Sequence, residues 1–171
     1  LERVGAKVMA AHLPRSFGAV HAAHRVIMNT EVAAVHEETF RTRMMDYRPG
    51  LRGMIATGLL IPASTHIKAQ RIRGQFIHEI AAAIEGVDCF LTPSTTMPAP
   101  KGLGSTGDPA FNSPWSFCGF PSITVPSGLT RDGLPLGVQL VGRPFGEEAL
   151  LKAALWCEKI VGFEHEPHNP R

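Results

Sequence analysis

Apolar side chains recur at helical spacing in three segments of the chain. In residues 66–85 the apolar positions stand four apart, with charged residues off that row: Ile72, Phe76, Ile80 and Ile84. This pattern predicts an amphipathic helix that ends at Gly86. Residues 20–47 repeat apolar positions more loosely, and residues 147–161 begin with two glutamates and end before Gly162. Both are also predicted to be helices, and a polar tail follows the last one.

Shorter apolar runs bounded by glycine and proline predict strands. Residues 87–91 form the first such run. Residues 122–125 and 137–142 form two more, and the Asp-Gly pair at 132–133 between them is a turn signal. Residues 98–114 are rich in Pro, Gly and Ser and have no apolar period, so they are expected to form a long loop. The sequence therefore predicts a strand, a loop and then a β-hairpin.

The same hydrophobic pattern predicts where the long helix ends, how the chain begins and which fold class it forms. Arg48-Pro49-Gly50 is expected to end the long helix and to be followed by a short connection. Apolar residues at positions 4, 8 and 11 predict a helix already under way at the start of the chain, which also begins without Met. Polypeptide is thus expected to precede residue 1. Helices combined with a strand pair predict an α/β fold in which a mixed β-sheet is covered by helices.

Composition narrows the class of protein. With 171 residues, 44% of them hydrophobic, the chain can form one globular core. A net charge of +2 leaves no basic stripe, so no nucleic-acid partner is expected. No segment is apolar enough to predict a membrane helix or a signal peptide, so no membrane partner is expected. Three widely spaced cysteines, Cys89, Cys118 and Cys157, suit reduced thiols in a cytoplasmic protein.

The glycine, histidine and serine patterns of the sequence form no complete catalytic or cofactor motif. Gly102, Gly104 and Gly107 match G-x-G-x-x-G, but no strand runs directly into a helix there, so a flexible loop is favoured over a dinucleotide site. The eight histidines lack the spacing of a zinc helix, and solvated or capping histidines are favoured over a metal site. No G-x-S-x-G elbow occurs. The residues themselves thus indicate no cofactor and no metal.

Three strings stand in an order that matches a known family. They are DCFLTP at 88–93, FNSPWSFCGFPSITVP at 111–126 and GLPLGVQLVG at 133–142. In order and spacing they resemble the C-terminal half of the amidase-signature family, and residues 69–73 and 147–158 extend the resemblance. It implies a partial amidase-signature fold in which residues 1–171 are the C-terminal part of a single amidase domain.

The resemblance also implies a chemistry and where its residues lie. Members of the family hydrolyse carboxylic amides, or transfer ammonia from them, through a Ser, cis-Ser, Lys triad. The triad lies N-terminal to the region matched here, and this chain has no Gly-Gly-Ser-Ser run. None of its five lysines and eight serines matches the catalytic motif. No catalytic residue is therefore assigned to this chain.

The same resemblance implies which residues face the substrate. The strand end at Thr92 and the segment 115–119 correspond to places where the family's second half faces the substrate side chain. The candidate substrate-binding residues are accordingly Thr92, Trp115, Phe117, Cys118 and Gly119. For Trp115 and Phe117, core packing and pocket lining remain equal alternatives, because apolar pockets use the same residue types. Gln139 is interpreted as a polar residue that needs a partner on a partly buried strand.

Three functions remain open. The first is a fragment of an amidase acting on an apolar or aromatic amide, inactive without its N-terminal half. The second is a catalytically silent binding or assembly module on the same scaffold. The third is part of a glutamine-dependent amidotransferase A-type subunit. Many family members have Asn where Ser116 stands and Tyr where His66 stands. The acidic-substrate residues of the amidotransferases have no clear counterpart here, which favours the first function. The expected partners are a small-molecule amide, the missing N-terminal half and a second copy in a homo-oligomer.

Overall fold

The computed structural model describes residues 1–166, which fall into two compact units. Leu13–Ile80 make up one unit. Leu1–His12 and Ala81–Arg171 make up the other, and the end of the predicted polar tail, residues 167–171, lies outside the described residues. Within the described residues, no helix is both long and apolar enough to cross a membrane.

The first unit is helical. It contains α1 (Phe17–Arg43), α2 (Pro49–Leu60) and most of α3 (Ala63–Ala83), with a 3₁₀ turn at Met44–Asp46. Helix α2 packs against α1. The buried apolar residues of this unit come from all three helices: Val20, Ala23, Ile27, Ala33, Phe40, Ile55, Ala69, Phe76 and Ile80. The predicted helices at 20–47 and 66–85 are thus confirmed within a few residues of their ends.

Helix α2 differs from the prediction. Arg48-Pro49-Gly50 was expected to lead into a short connection, and instead Pro49 begins α2. Proline suits this position because the first helical residue has no intrahelical partner for its N–H, and its fixed φ already matches the helix. The preceding helix ends earlier, at Arg43, before the 3₁₀ turn. The expectation of a short connection was therefore wrong.

Helix α1 is fixed at its start by α3. Its N-cap residue Ser16 makes no side-chain cap hydrogen bond within α1. Instead, the Ser16 hydroxyl and backbone N–H donate to Glu79 Oε2 at 2.6 and 3.3 Å, and Gln75 donates to Glu79 Oε1 at 2.7 Å. The Ser16 hydroxyl is the main cause that lowers the pKa of Glu79, followed by Gln75. A carboxylate at a helix N-terminus also interacts favourably with the helix dipole.

The second unit contains a three-stranded antiparallel sheet with the order β1-β3-β2. Its elements, in chain order, are β1 (Phe90–Pro93), α4 (Ser113–Cys118), β2 (Ser122–Leu129), β3 (Pro135–Val141) and α5 (Glu147–Val161). The predicted hairpin and C-terminal helix are confirmed, and Gly162 ends α5 in the left-handed region with a φ of 58°. The strand predicted at 87–91 is present but begins later, at Phe90.

The two faces of this sheet are covered differently. Helix α5 packs on one face and forms a core with β2 and β3: Val125, Leu140, Leu150, Ala154 and Cys157. Side chains alternate across a strand, so the register places Phe90, Thr92, Thr124, Gln139 and Val141 on the opposite face. The predicted α/β class is confirmed, and the three described strands form an antiparallel sheet where a mixed sheet was expected.

The start of the chain is not the predicted helix. A 3₁₀ turn covers only Glu2–Val4, and Gly5 follows with a φ of 98°, a left-handed conformation that breaks a helix. Val4 and Val8 are about half exposed, at 48% and 49%. The apolar row at positions 4, 8 and 11 therefore has no core to pack on, and spacing alone does not form a helix in such a short segment.

Candidate functional site

The candidate site lies on the sheet face opposite α5, at the end of β1. Thr92 is the third residue of that strand and is half-buried. It pairs in register with Gln139 on the central strand β3. Gln139 is only 3% exposed and its side-chain Nε2 donates to Thr92 Oγ1 at 3.3 Å and to the Phe111 carbonyl at 2.9 Å. One amide group thus joins the end of β1 to Phe111, two residues before α4 begins.

Helix α4 is short, and local hydrogen bonds set both of its ends. The Ser113 hydroxyl and backbone N–H donate to the Pro109 carbonyl at 3.0 and 2.8 Å, and Pro114 occupies the first turn. At the other end, Gly119 adopts a φ of 73°, and the N–H groups of Gly119 and Phe120 both donate to the Trp115 carbonyl. A side chain at Gly119 would be strained in this conformation, so glycine ends the helix there.

An aromatic pair connects α4 to β1. The rings of Phe90 and Trp115 stack, with centroids 5.9 Å apart and planes at 25°. Trp115 is 5% exposed, yet among the described residues no acceptor takes the hydrogen of its indole Nε1. Buried indole N–H groups usually have a partner. Trp115 is therefore a packed core residue that keeps one unused donor.

The five sequence-predicted residues do not share one environment. Thr92 is half-buried at the strand end, whereas Trp115, Phe117 and Cys118 are buried inside this unit. Gly119 is exposed at the end of α4. The contacts described above bring Thr92 and Trp115 to one sheet face through Gln139 and Phe90. Cys118 contributes a hydrogen bond from Sγ to the Trp115 carbonyl at 3.5 Å, which is a local packing contact.

Sequence reasoning did not name Gln139, Phe90 or Phe111 as site residues. A glutamine in the apolar run of β3 was a usable signal, because a polar side chain there needs a partner. Its partners could not be read from sequence, because one lies 47 and the other 28 residues away along the chain.

The described residues contain no paired nucleophile and base of the serine type. Within residues 1–166, no serine hydroxyl hydrogen-bonds to a lysine or histidine; Ser94 and Ser113, for example, donate to backbone carbonyls. Lys152 pairs with Glu148 on the exposed side of α5. No group of three His, Cys, Asp or Glu side chains in this part of the chain is placed to hold a metal ion. What the arrangement offers is hydrogen bonding and packing at the end of β1.

Comparison with known proteins places the chain in a family. The family model described as Amidase matches residues 1–151. The chain therefore belongs to the Amidase family, and the resemblance drawn from the three strings is confirmed.

Its relatives include the A-type subunit of glutamyl-tRNA(Gln) amidotransferase from two bacteria. The protein of Rhizorhabdus wittichii is 34% identical over 152 residues, which cover 81% of this chain and 30% of the relative. That of Rhodospirillum rubrum is 43% identical over 110 residues, covering 60% of this chain and 22% of the relative. The chain thus spans less than a third of the length of these curated relatives.

Solved structures agree with the fold. A crystal structure of an amidase superposes with a TM-score of 0.85 at 24% identity, covering 93% of this chain and 39% of that one. The A-type subunit of glutamyl-tRNA(Gln) amidotransferase from Thermotoga maritima superposes with a TM-score of 0.63 at 30% identity, covering 90% and 34%. At 24% identity the first likeness establishes the fold alone, and that fold is the amidase one.

Proposed function

We propose that this chain is the C-terminal portion of an amidase domain and that the whole enzyme cleaves carboxylic amides. The observation that carries the proposal is the site at the end of β1, in a chain of the Amidase family: Gln139 joins Thr92 to the start of α4, yet no serine in the described residues is paired with a base. The chain supplies substrate contacts, and the nucleophile comes from polypeptide outside it.

The proposed reaction is acyl transfer through serine. The serine oxygen adds to the amide carbonyl, and the C–N bond breaks as the nitrogen gains a proton and leaves as ammonia or an amine. Water then attacks the resulting ester, releasing the acid and restoring the serine hydroxyl. These reaction steps require no metal and no cofactor. The part of this chain is to hold the substrate so that its carbonyl meets the nucleophile, since orientation accounts for much of the rate.

A second candidate function is that of an amidotransferase component. The curated relatives carry the name of the A-type subunit of glutamyl-tRNA(Gln) amidotransferase, at 34% and 43% identity. In that case the acyl group would still pass to water, but the released ammonia would pass to a second substrate instead of into solution, and partner subunits would be needed. The acidic-substrate residues of the amidotransferases have no clear counterpart in this chain, which favours a simple amidase for an apolar or aromatic amide. Cys89, Cys118 and Cys157 form no disulfide, which suits an enzyme of the cytoplasm.

One experiment tests the proposal. The chain alone and the full-length protein that contains it are each treated with benzamide, with glutamine and with a fluorophosphonate that labels activated serines. We expect the chain alone to release no ammonia and to remain unlabelled, and the full-length protein to be labelled once and to prefer benzamide. A preference for glutamine would favour the amidotransferase. Labelling of any serine within this chain would contradict the proposal, and a full-length protein inert in all three assays would indicate the silent binding module.

A further inference from the structure

The side chain of Gln139 has an orientation that its partners fix. Its Nε2 lies 2.9 Å from the Phe111 carbonyl oxygen and 3.3 Å from Thr92 Oγ1. A carbonyl oxygen can only accept, so the atom that faces it must be the amide nitrogen and not the amide oxygen. The residue is 3% exposed, on the central strand of the sheet. The chemistry of Phe111 therefore settles the orientation of the amide.

This orientation determines what the Thr92 hydroxyl can do. The amide nitrogen carries two hydrogens, and one points to each acceptor, so the Thr92 oxygen accepts from Gln139. The Thr92 hydrogen must then point elsewhere. Among residues 1–166 no acceptor takes it. Thr92 is half-buried near the end of an edge strand, so this hydrogen is free to meet a group that arrives from outside the described residues.

The end of β1 is also fixed in place. The Ser94 hydroxyl and backbone N–H both donate to the Gly137 carbonyl, at 3.0 and 3.1 Å. The absence of a side chain at Gly137 allows this approach, because a Cβ there would lie 2.6 Å from Thr124 Cγ2 and 3.1 Å from Ser94 Oγ. Thr92 is thus fixed by its hydrogen bond with Gln139 and by the two hydrogen bonds of Ser94 at the end of the same strand.

We infer that Gln139 is a positioning residue that holds the Thr92 hydroxyl as a hydrogen-bond donor to an uncharged carbonyl oxygen of the substrate. The inference rests on the proposed function, which supplies the amide substrate. An acceptor oxygen would pair with the unused Thr92 hydrogen, whereas a substrate N–H would leave that hydrogen without an acceptor. Gln139 acts through Thr92 and does not itself touch the substrate.

The test uses the full-length protein that contains this chain and the dissociation constant of benzamide. Thr92→Val removes the hydroxyl and keeps the shape, and Thr92→Ser keeps the hydroxyl as a matched control. Gln139→Glu replaces the donating amide by a carboxylate of the same shape, which can only accept, so the Thr92 hydrogen turns inward. We expect Thr92→Val and Gln139→Glu each to raise the Kd about tenfold, the loss of one hydrogen bond, and Thr92→Ser to stay near the wild type. The double variant should be no weaker than Thr92→Val alone, because both changes remove the same donor.

A second measurement remains decisive if Gln139→Glu does not fold. In ¹⁵N-glutamine-labelled protein, Thr92→Val should shift the Gln139 Nε2 proton that faces residue 92 and leave the proton that faces Phe111 in place. Unchanged resonances for both protons, or unchanged benzamide affinity in Thr92→Val, would overturn the inference, as would a wild-type protein that does not bind benzamide. Benzamide bound but not hydrolysed would count against the proposed reaction and not against the role of Gln139.

Discussion

The pKa and reactivity of a side chain depend on its burial as much as on its neighbours, and Cys89 is an example. The thiol is half-buried and packs against the core that α5 forms on the sheet. Burial raises the pKa of Cys89, and the nearby Cys157 and Asp88 raise it further; burial likewise raises the pKa of Cys157. A thiol that stays protonated is a poor nucleophile. Both cysteines are therefore packing residues and not candidates for the missing nucleophile.

The raised thiol pKa values predict a loss of stability at alkaline pH. Because the folded state keeps these protons to a higher pH than the unfolded state, the stabilisation is complete below the ordinary thiol pKa. It is lost as the pH rises towards the folded value. In urea unfolding between about pH 8 and pH 10, the wild type should lose free energy of unfolding faster than Cys89→Ala, by less than about 1.4 kcal/mol per pH unit. Parallel pH profiles for the two proteins would contradict the assignment.

The residue scale also marks a limit of prediction from sequence. The residue types of the candidate site follow from the strings that carry the family resemblance, and Gln139 could be recognised as a buried polar group in need of a partner. Which group it meets depends on the register that places Thr92 opposite it, and on a loop that returns Phe111 to the same face. Both are long-range features that local spacing does not encode.

At the scale of elements, prediction succeeded where local signals decide the outcome. Helix α5 has acidic residues in its first turn and a left-handed glycine at its end, and the β2–β3 hairpin has an Asp-Gly turn. Prediction from sequence failed where contacts between distant parts of the chain decide where an element begins and ends. Strand β1 covers Phe90–Pro93 because β3 pairs with those residues, and proline is tolerated on an edge strand. Helix α2 was missed because proline was taken as an end and not as a start.

Helix α2 gives a prediction about close packing. At Gly58 an added Cβ would overlap the Asn29 carbonyl oxygen and lie 2.7 Å from Ala33 Cβ, both on α1, so Gly58→Ala must push the two helices apart. We expect a cost of about 3 kcal/mol, at the upper end for overpacking. Gly53→Ala is the matched control on the same helix, since a Cβ there meets nothing within 4 Å. It should stabilise by up to about 1 kcal/mol. Chemical denaturation of both variants checks this, and equal effects would show that α1 and α2 are not in close contact at Gly58.

At the scale of the whole molecule, the described part of the chain has strand edges, apolar side chains and hydrogen-bond donors without partners. A larger domain would supply those partners. Strands β1 and β2 each pair on one side only, within a three-stranded sheet. Apolar side chains such as Leu91 on β1 and Trp156 on α5 are 43% and 39% exposed. The Trp115 N–H and the Thr92 hydrogen have no acceptor among residues 1–166. Open strand edges and apolar surface favour self-association of the isolated chain.

We propose that this chain and a catalytic part N-terminal to it together form one amidase domain. The most direct measurement is ammonia release from benzamide by the two parts expressed as separate chains, alone and together. We predict that neither part is active alone, and that the two form a complex that hydrolyses benzamide. Thr92→Val should weaken substrate use by the complex. Lys152→Met should leave it unchanged, because this lysine pairs with Glu148 on the exposed side of α5. An upstream part that is fully active without this chain would contradict the account.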